Sequence, residues 1–303
     1  MNTVATGRSG QSSVRPLRPR ELQDPLNWYL YHPLSWQLAR RLARTPITPN
    51  MVSVLGALCV IAAAFAYAQN LWPLSAALGL LLHMTWHVVD GADGDLARLT
   101  GKASPIGEMV DGLCDYLSHI VLYLVLGWML YHAIGSAGWW WMVAAGLSHI
   151  VQSNHVEVQR RSYQWWVFGT PWLRHSHAAE GSATAKSRFG SLVSAYLGLA
   201  SGMTPFALKI DAATAAAQGN PARLEQIRTA VRAEAAPLLF MCKLLGPNPR
   251  AIVLGLAMLF AGRSGLGPLW YCIYQVVLLN GLLVASVAMH NVAAKRIATK
   301  IAA

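Results

Sequence analysis

Six acidic residues stand close together in the stretch DGADGDLARLTGKASPIGEMVDGLCD, which begins at residue 90. The whole chain has only thirteen acidic residues, so nearly half of them fall here. Four of the six are spaced as two pairs, Asp90 with Asp93 and Asp111 with Asp115. Carboxylates so close together would repel one another unless a cation neutralised them, and oxygen ligands favour magnesium, manganese or calcium. The spacing therefore predicts chemistry assisted by one or two divalent metal ions.

Helix periodicity arranges these residues as two facing stripes. At 3.6 residues per turn, the first stripe occupies about 100° of arc, and it contains Asp90, Asp93, Gly94 and Ala97, with Arg98 beside it. The second stripe has a spacing of four and contains Gly107, Asp111 and Asp115. The glycines leave room for a ligand, and a guanidinium is suited to phosphate. Metal ions, space and a guanidinium together predict a diphosphate substrate.

The segment between the stripes, LTGKASP, predicts a turn that joins two helices. Gly101 can end the first helix, and Ser104 followed by Pro105 suits the start of the second. The carboxylates would then face one another across a groove in a helical hairpin. Asp90 is expected about nineteen residues, or roughly 28 Å, into its helix, which predicts a site near one membrane interface.

The elements that must carry this hairpin are predicted to be membrane-spanning helices. The chain of 303 residues is 54% hydrophobic and only 12% charged, about half the charged fraction of a usual soluble domain. Its apolar blocks have roughly spanning length. They predict an all-α integral membrane protein with six transmembrane helices, at residues 52–70, 72–97, 106–131, 138–159, 249–265 and 268–291.

The basic residues predict how these spans are oriented. The net charge is +11, yet of the 24 lysines and arginines only Arg263 falls in the connections 69–72, 132–138 and 263–267. By the positive-inside rule, both termini and the acidic stretch face the cytoplasm. The charge therefore predicts contact with membrane lipids and excludes nucleic acid as the partner. The four cysteines are far apart in apolar surroundings and indicate packing rather than disulfides or a zinc site.

Composition separates three segments of the chain. Residues 1–24 are rich in Arg, Ser, Gly and Pro and are predicted to be a disordered basic arm. Residues 25–48 combine aromatic and apolar residues with a basic cluster, which predicts an amphipathic helix in the headgroup plane; a soluble helix packed on the core is the alternative. Residues 49–303 would form the membrane domain, with a cytoplasmic or interfacial insertion at about 163–248. Two short apolar pieces, 191–206 and 236–245, leave eight spans as an alternative to six.

The acidic stretch resembles the signature of the CDP-alcohol phosphotransferase family. That signature has the form D-x2-D-G-x2-A-R-x8-G-x3-D-x3-D, and all eight positions are matched, by Asp90, Asp93, Gly94, Ala97, Arg98, Gly107, Asp111 and Asp115. The TPN at 48–50 also resembles the family's usual start. The resemblance covers roughly residues 45–160, and the segment 160–250 contributes nothing to it.

The resemblance implies a transferase of phospholipid synthesis in a bacterial inner membrane. A CDP-activated lipid, typically CDP-diacylglycerol, would be attacked by a small alcohol acceptor, and CMP would leave. Asp90, Asp93 and Asp111 would hold two Mg²⁺ or Mn²⁺ ions, while Asp115 would act as general base and also touch a metal. The CDP pocket would be lined by Pro49, Asn50, Gly94, Ala97, Arg98, Ser104 and Gly107. The resemblance is also compatible with a homodimer, although no residue of the chain indicates one.

The sequence leaves alternatives open for the activity. A cation or proton transporter could also use intramembrane carboxylates, although here they cluster at one end of the hairpin. Within the transferase reading, the acceptor could be glycerol phosphate, inositol or its phosphate, serine or choline. A CDP-linked small alcohol as donor, with diacylglycerol as acceptor, is chemically equivalent.

Other polar residues receive structural interpretations. Asp95 and Glu108 are outside the signature and are predicted to be solvated or cap-related charges. His83 and His87 stand one turn apart, but no third ligand accompanies them, so they are predicted to pack rather than bind metal. Asn280 on the last span is predicted to hydrogen-bond another helix.

Overall fold

A computed structural model describes residues 18–171, 198 and 202–302 of the chain. Residues 1–17 of the predicted disordered arm, and most of the apolar piece 191–206, therefore lie outside the described residues. Within the remainder of the arm, Arg20–Leu22 forms a turn of 3-10 helix, and the Leu22 side chain is buried. The predicted disorder does not extend to this turn.

Helices account for most of the described residues, which confirms the predicted all-α class. A π-helical turn, Asn27–Tyr31, leads into the first α-helix. The α-helices are α1 His32–Leu42, α2 Pro49–Tyr67, α3 Leu74–Leu99, α4 Pro105–Ile134, α5 Ala137–Phe168, α6 Ala207–Ala216, α7 Pro221–Glu234, α8 Leu239–Leu244, α9 Pro247–Ala261, α10 Gly267–Ile273 and α11 Leu279–Ala302. Single helical turns at Ala236–Leu238, Gly262–Ser264 and Tyr274–Leu278 adjoin the later helices.

Four helical stretches among the described residues are long and apolar enough to cross a membrane. They are Pro49–Tyr67, Ile106–Ile134, Ala236–Ser264 and Gly267–Ala302. The other two predicted spans also form long helices, α3 and α5, but both carry several polar and charged residues. The third stretch begins at residue 236 rather than at the predicted 249, because the apolar piece 236–245 runs into it.

The chain divides into two compact units, and the acidic stretch belongs to the first. Among the described residues, the first unit comprises 18–142 and Ala251–Leu269, and the second comprises 143–171, 198, 202–250 and 270–302. In the first unit α2 packs against both α3 and α4, while α1 packs against α3. The apolar core between α1, α2 and α3 contains Ala39, Val52, Val89, Ala92 and Leu96. This core fixes the half of α3 that carries the acids.

The contact of α1 with α3 depends on a glycine directly after Asp90. A Cβ atom built on Gly91 would lie 2.7 Å from Ser35 Oγ and 3.2 Å from Ser35 Cβ. The Ser35 hydroxyl donates a hydrogen bond to the Val88 carbonyl at 2.8 Å, so the serine has a reason to stay in place. The two helices can therefore approach this closely only because residue 91 has no side chain.

Replacing Gly91 with alanine is expected to lower the free energy of unfolding by about 1–3 kcal/mol, the usual cost of overpacking a tight contact. Thermal unfolding of the purified protein in detergent measures the change. Gly281→Ala is the matched control, because a Cβ there meets no atom within 4 Å, and a helical glycine to alanine change in open space stabilises by up to about 1 kcal/mol. Equal melting temperatures for the two variants would contradict this account of the α1–α3 contact.

Buried polar side chains join α5 to the end of the chain within the second unit. Gln152 Nε2 donates to Asn280 Oδ1 at 2.7 Å and to the Gln275 carbonyl at 3.0 Å. Asn280 Nδ2 donates in turn to Ser148 Oγ at 2.9 Å. The predicted interhelical role of Asn280 is confirmed.

Candidate active site

Three of the four carboxylates predicted to bind metal converge in the first unit. Oxygen atoms of Asp90, Asp111 and Asp115 all lie within 4.8 Å of one another. Asp90 belongs to the C-terminal half of α3, and the other two lie one turn apart in the N-terminal half of α4. Each side chain is only partly buried. The helical hairpin thus brings together an acidic triad, defined here as these three residues.

Asp93 lies beside the acidic triad rather than in it. Its side chain is buried, and its Oδ2 accepts a hydrogen bond of 2.6 Å from Ser53 Oγ on α2. Its Oδ1 accepts from the backbone N–H of Gly94. The carboxyl groups of Asp93 and Asp111 are near enough to interact. Asp93 is therefore held by Ser53 of α2 and lies next to Asp111 of the triad.

Replacing Ser53 with alanine is expected to weaken divalent metal binding by about 10- to 100-fold, the usual cost of removing a group that orients a ligand. The reason is that Asp93 would lose the hydroxyl that fixes its carboxylate. Titration of the purified protein with Mg²⁺, followed by thermal stability, measures the affinity. Ser75→Ala is the control, because Ser75 is also a buried serine of this unit but lies at the other end of α3. An unchanged Mg²⁺ affinity in Ser53→Ala would show that Asp93 needs no such support.

The turn between α3 and α4 has the predicted construction. Gly101 has a φ of +66°, in the left-handed region that favours glycine. Ser104 caps α4, since its Oγ accepts a hydrogen bond from the Gly107 N–H at 3.1 Å, and Pro105 is the first residue of the helix. The cap fixes where α4 begins, and this sets the face on which Asp111 and Asp115 emerge.

The residues predicted to line a CDP pocket form two groups. In the first group, a Cβ built on Gly107 would lie 3.3 Å from Ser104 Oγ and 3.7 Å from Asn50 Oδ1. Pro49 directly precedes Asn50 and is the first residue of α2. The start of α2 and the start of α4 therefore meet, as expected from the TPN motif. The absence of a side chain at Gly107 keeps this meeting point open.

The second group lies on the last turns of α3. A Cβ built on Gly94 would be 3.4 Å from Arg98 Nη2, so the guanidinium group extends over the glycine. The side chain of Arg98 is 48% exposed, and Ala97 is partly buried beside it. This surface presents an accessible guanidinium group close to the helix backbone, which is suited to an approaching phosphate group.

The prediction that Asp95 is solvated is wrong. Its side chain is only 3% exposed and forms two ion pairs. Asp95 Oδ1 lies 2.5 Å from Arg98 Nη2 and 2.7 Å from Arg18 Nη2. A buried carboxylate is stable when it is paired in this way. Glu108, by contrast, is exposed in the first turn of α4, which agrees with its predicted role as a solvated charge.

An aromatic cluster packs next to the triad. Trp86 Nε1 donates a hydrogen bond to Asp115 Oδ1 at 3.1 Å. The Trp86 ring lies 4.4 Å from the His87 ring and 4.8 Å from the His119 ring, measured between centroids. His83 and His87 are both buried in this cluster, and among the described residues neither belongs to a group that could hold a metal ion. Their predicted packing role is confirmed.

Three residues of the site region escaped the sequence analysis: Arg18, Ser53 and Trp86. A local signal existed for Trp86, which stands one helical turn before Asp90 and therefore on the same face of α3. Ser53 stands one turn after Pro49 and shares its face of α2. For Arg18 there was no local signal, because its contact with Asp95 joins residues far apart in the sequence.

The acidic triad fits a hard divalent cation. Oxygens bound to one such ion at about 2.0–2.6 Å lie at most roughly 4–5 Å apart, and the triad oxygens are within 4.8 Å. All three ligands are carboxylates, which suits magnesium, manganese or calcium rather than a soft metal. Asp93 lies next to Asp111, where its carboxylate would be a fourth oxygen ligand. The donor set thus supports metal binding without fixing the ion or the number of ions.

Comparison with known proteins identifies a family and several relatives of the chain. The family model described as CDP-alcohol phosphatidyltransferase matches residues 46–261. Cholinephosphotransferase 1 of Xenopus laevis is 29% identical over 133 residues, which cover 41% of this chain and 31% of that protein. Archaetidylinositol phosphate synthase of Pyrococcus horikoshii is 36% identical over 85 residues, covering 27% of this chain and 42% of that protein.

A third relative has the same pattern of partial coverage. Phosphatidylinositol phosphate synthase of Mycobacterium tuberculosis is 30% identical over 97 residues, which cover 31% of this chain and 43% of that protein. The matched region is therefore less than half of each of these curated relatives. No solved structure is significantly similar to the chain.

Proposed function

Because the chain belongs to the CDP-alcohol phosphatidyltransferase family, we propose that it transfers a phosphatidyl group from CDP-diacylglycerol to a small alcohol and releases CMP. The observation that supports this most directly is the acidic triad, with its carboxylate oxygens within 4.8 Å of one another. The exposed Arg98 guanidinium and the Gly94 backbone beneath it lie on the same helix as Asp90. These groups match the two needs of a diphosphate substrate, which are neutralisation of charge and close access.

Each residue has a defined part in the proposed reaction. Asp115 accepts the proton of the acceptor hydroxyl, whose oxygen forms a bond to the phosphorus that carries the lipid. The bond from that phosphorus to the bridging oxygen of CMP breaks, and CMP leaves with the electron pair. The Trp86 N–H orients the Asp115 carboxylate by its hydrogen bond. Divalent cations held by Asp90, Asp93, Asp111 and Asp115 would neutralise the diphosphate and the charge on departing CMP.

The donor would bind across the two groups of pocket residues. Arg98 would pair with a phosphate oxygen, and the absence of a side chain at Gly94 and Gly107 would let the diphosphate approach both helices. Asn50 and Ser104 offer polar atoms to the CMP part, while Pro49 and Ala97 supply close packing. Two Mg²⁺ or Mn²⁺ ions are the proposed cofactors, since two ions could serve both the attacking and the leaving oxygen.

The proposed membrane arrangement follows from the distribution of charge. Six helices would span a bacterial inner membrane, with both termini and the active site on the cytoplasmic side. Helix α1 would lie in the headgroup plane, with its buried face of Ser35, Trp36 and Ala39 packed on the protein and with Arg40 and Arg41 exposed to the headgroups. The chain would then consist of the arm 1–24, the juxtamembrane helix 25–48 and the membrane domain 49–303 with its insertion at about 163–248. A homodimer is also compatible with this arrangement.

The experiment that tests the function is a donor and acceptor screen with the purified, full-length protein in lipid. One arm supplies CDP-diacylglycerol with glycerol phosphate, inositol, inositol phosphate, serine or choline. The other arm supplies CDP-choline with diacylglycerol, because one relative is named a cholinephosphotransferase. We expect CMP release only in the first arm and only with one class of alcohol, with the lipid product identified by mass spectrometry. Turnover confined to the second arm would overturn the donor assignment, and no turnover in either arm would overturn the function.

A further inference from the structure

Three arginines at the end of α1 are exposed and have no acidic partner. Arg40, Arg41 and Arg44 are all exposed, and no ion pair or side-chain hydrogen bond connects them to another described residue. Of the thirteen acidic residues of the chain, only Glu180 lies outside the described ranges. The described part of the chain therefore leaves three neighbouring positive charges uncompensated.

The three arginines line an open groove, called here the basic groove, together with Gln37. The groove has a volume of about 320 Å³, which is at the lower end of the range of small-molecule sites. Its four residues follow the spacing i, i+3, i+4, i+7, which places them along one face of a helix. The opposite face is buried and contains Ser35, Trp36 and Ala39, and α1 packs against α3. The basic groove is therefore turned away from α3 and its carboxylates.

Stabilisation of the helix end explains only part of this charge. Cations in the last turn of a helix interact favourably with its macrodipole, and Arg40 and Arg41 belong to the last turn of α1. The dipole is equivalent to roughly −0.5 elementary charge at that end, whereas the groove has three full positive charges. Guanidinium groups bind phosphate oxygens in paired hydrogen bonds. The surplus charge and the groove together suit an anion with phosphate oxygens.

Apolar side chains next to the basic groove favour a lipid over a soluble phosphate. Tyr29, Leu30 and Leu34 are exposed, and Leu34 stands one helical turn before Gln37 on the same face of α1. The exposed face is thus apolar at its start and basic at its end. A phospholipid can use both parts, with its chains near the leucines and its phosphate among the arginines. A free phosphate ion would gain nothing from the leucines.

We propose that the basic groove binds the phosphate headgroup of an anionic phospholipid, at a site separate from the candidate active site. This site rests on the proposed position of α1 in the headgroup plane but not on the proposed reaction, because none of the four groove residues belongs to the active site. A headgroup with a net negative charge is preferred over phosphatidylcholine, whose choline cation would be repelled by the arginines. The bound lipid holds α1 at the membrane surface, and α1 in turn packs against α3.

The test titrates the purified full-length protein, in neutral detergent, with phosphatidylglycerol or with phosphatidylcholine of the same acyl chains. Native mass spectrometry counts the bound lipids, and calorimetry with Mg²⁺ present measures the affinity for CDP. One double variant combines Arg40→Gln with Arg41→Gln, and a second combines Arg40→Lys with Arg41→Lys. Glutamine and lysine have helix propensities close to that of arginine, so α1 should form in both. The control combines Arg296→Gln with Lys300→Gln, because these exposed cations are already paired with Glu234 at 3.5 and 2.7 Å.

The wild type and the control are expected to bind phosphatidylglycerol about tenfold more tightly than phosphatidylcholine. The glutamine variant should lose this preference, since each basic residue near an anionic headgroup contributes about fivefold in affinity. The lysine variant should retain only part of it, because an ammonium group lacks the planar fork of a guanidinium group. The affinity for CDP and the melting temperature without added lipid should be the same in all four proteins.

Four results would overturn this lipid site. They are equal affinity of the wild type for the two lipids, unchanged affinity for phosphatidylglycerol in the glutamine variant, full affinity in the lysine variant, and displacement of the lipid by an equal concentration of soluble glycerol phosphate. The third would mean that the arginines supply only diffuse charge, and the fourth that the ligand is a free phosphate. A fall in CDP affinity in the glutamine variant would place the groove in the donor site instead. A lipid preference that depends on Arg40 and Arg41, in a protein that releases no CMP from any donor, would uphold the lipid site while overturning the proposed function.

Discussion

Replacing Asp115 with asparagine is expected to lower kcat for CMP release by about 10²- to 10⁴-fold, which is the usual contribution of a positioned general base. Asparagine keeps the size of the side chain and an oxygen that can accept the Trp86 hydrogen bond, but it cannot take a proton. At saturating Mg²⁺, which offsets the loss of one metal ligand, the KM for the donor should change far less than kcat, because the missing step is proton transfer from the acceptor. Steady-state kinetics of the purified variant measure both quantities.

The control for this variant is Glu108→Gln, which removes an exposed acid from the same helix. Its kcat should stay within about twofold of the wild type, since Glu108 is exposed to solvent and is not one of the proposed ligands or pocket residues. If Asp115→Asn retained more than a tenth of the wild-type kcat, another group would have to accept the proton. The hydrogen bond between Trp86 and Asp115 would then contribute to folding and not to catalysis.

Replacing Asp90 with asparagine is expected to have opposite effects on activity and on stability without metal. Metal affinity should fall at least 100-fold, as for the loss of a group that holds a ligand in place, and CMP release should fall with it. In the presence of a chelator, however, the variant should melt at a higher temperature than the wild type. The reason is that three carboxylates within 4.8 Å of one another repel when no cation lies between them.

Melting temperatures with and without Mg²⁺, measured for both proteins, give all four values needed. The wild type should gain stability on adding Mg²⁺ and lose CMP release on chelation, with recovery on adding Mg²⁺ or Mn²⁺. Asp90→Asn should show little response to either treatment. A wild type that keeps turning over in excess chelator would exclude the metal from the reaction. If Asp90→Asn melted at a lower temperature than the wild type in the presence of chelator, repulsion within the triad would not be the main effect on stability.

Local features of the sequence were sufficient to predict the turn of the hairpin and the convergence of three of its carboxylates. Gly101, Ser104 and Pro105 predicted the turn between α3 and α4, because helix ends depend on residues within a few positions. The spacing of Asp90, Asp111 and Asp115 predicted that they converge, because residues four apart share a helix face. The same periodicity could not show that Asp93 would turn toward α2 and Ser53 rather than join the triad.

Contacts between distant segments were decided by the tertiary structure. Asp95 follows Gly94 by one residue and thus lies about 100° further around the helix, on a face that the sequence pattern leaves as solvent-exposed. That face is buried because α1 packs against α3 at Gly91 and because Arg18 reaches back to pair with the carboxylate. Periodicity defines which residues share a face of a helix, but only the packing of other segments determines which faces are covered.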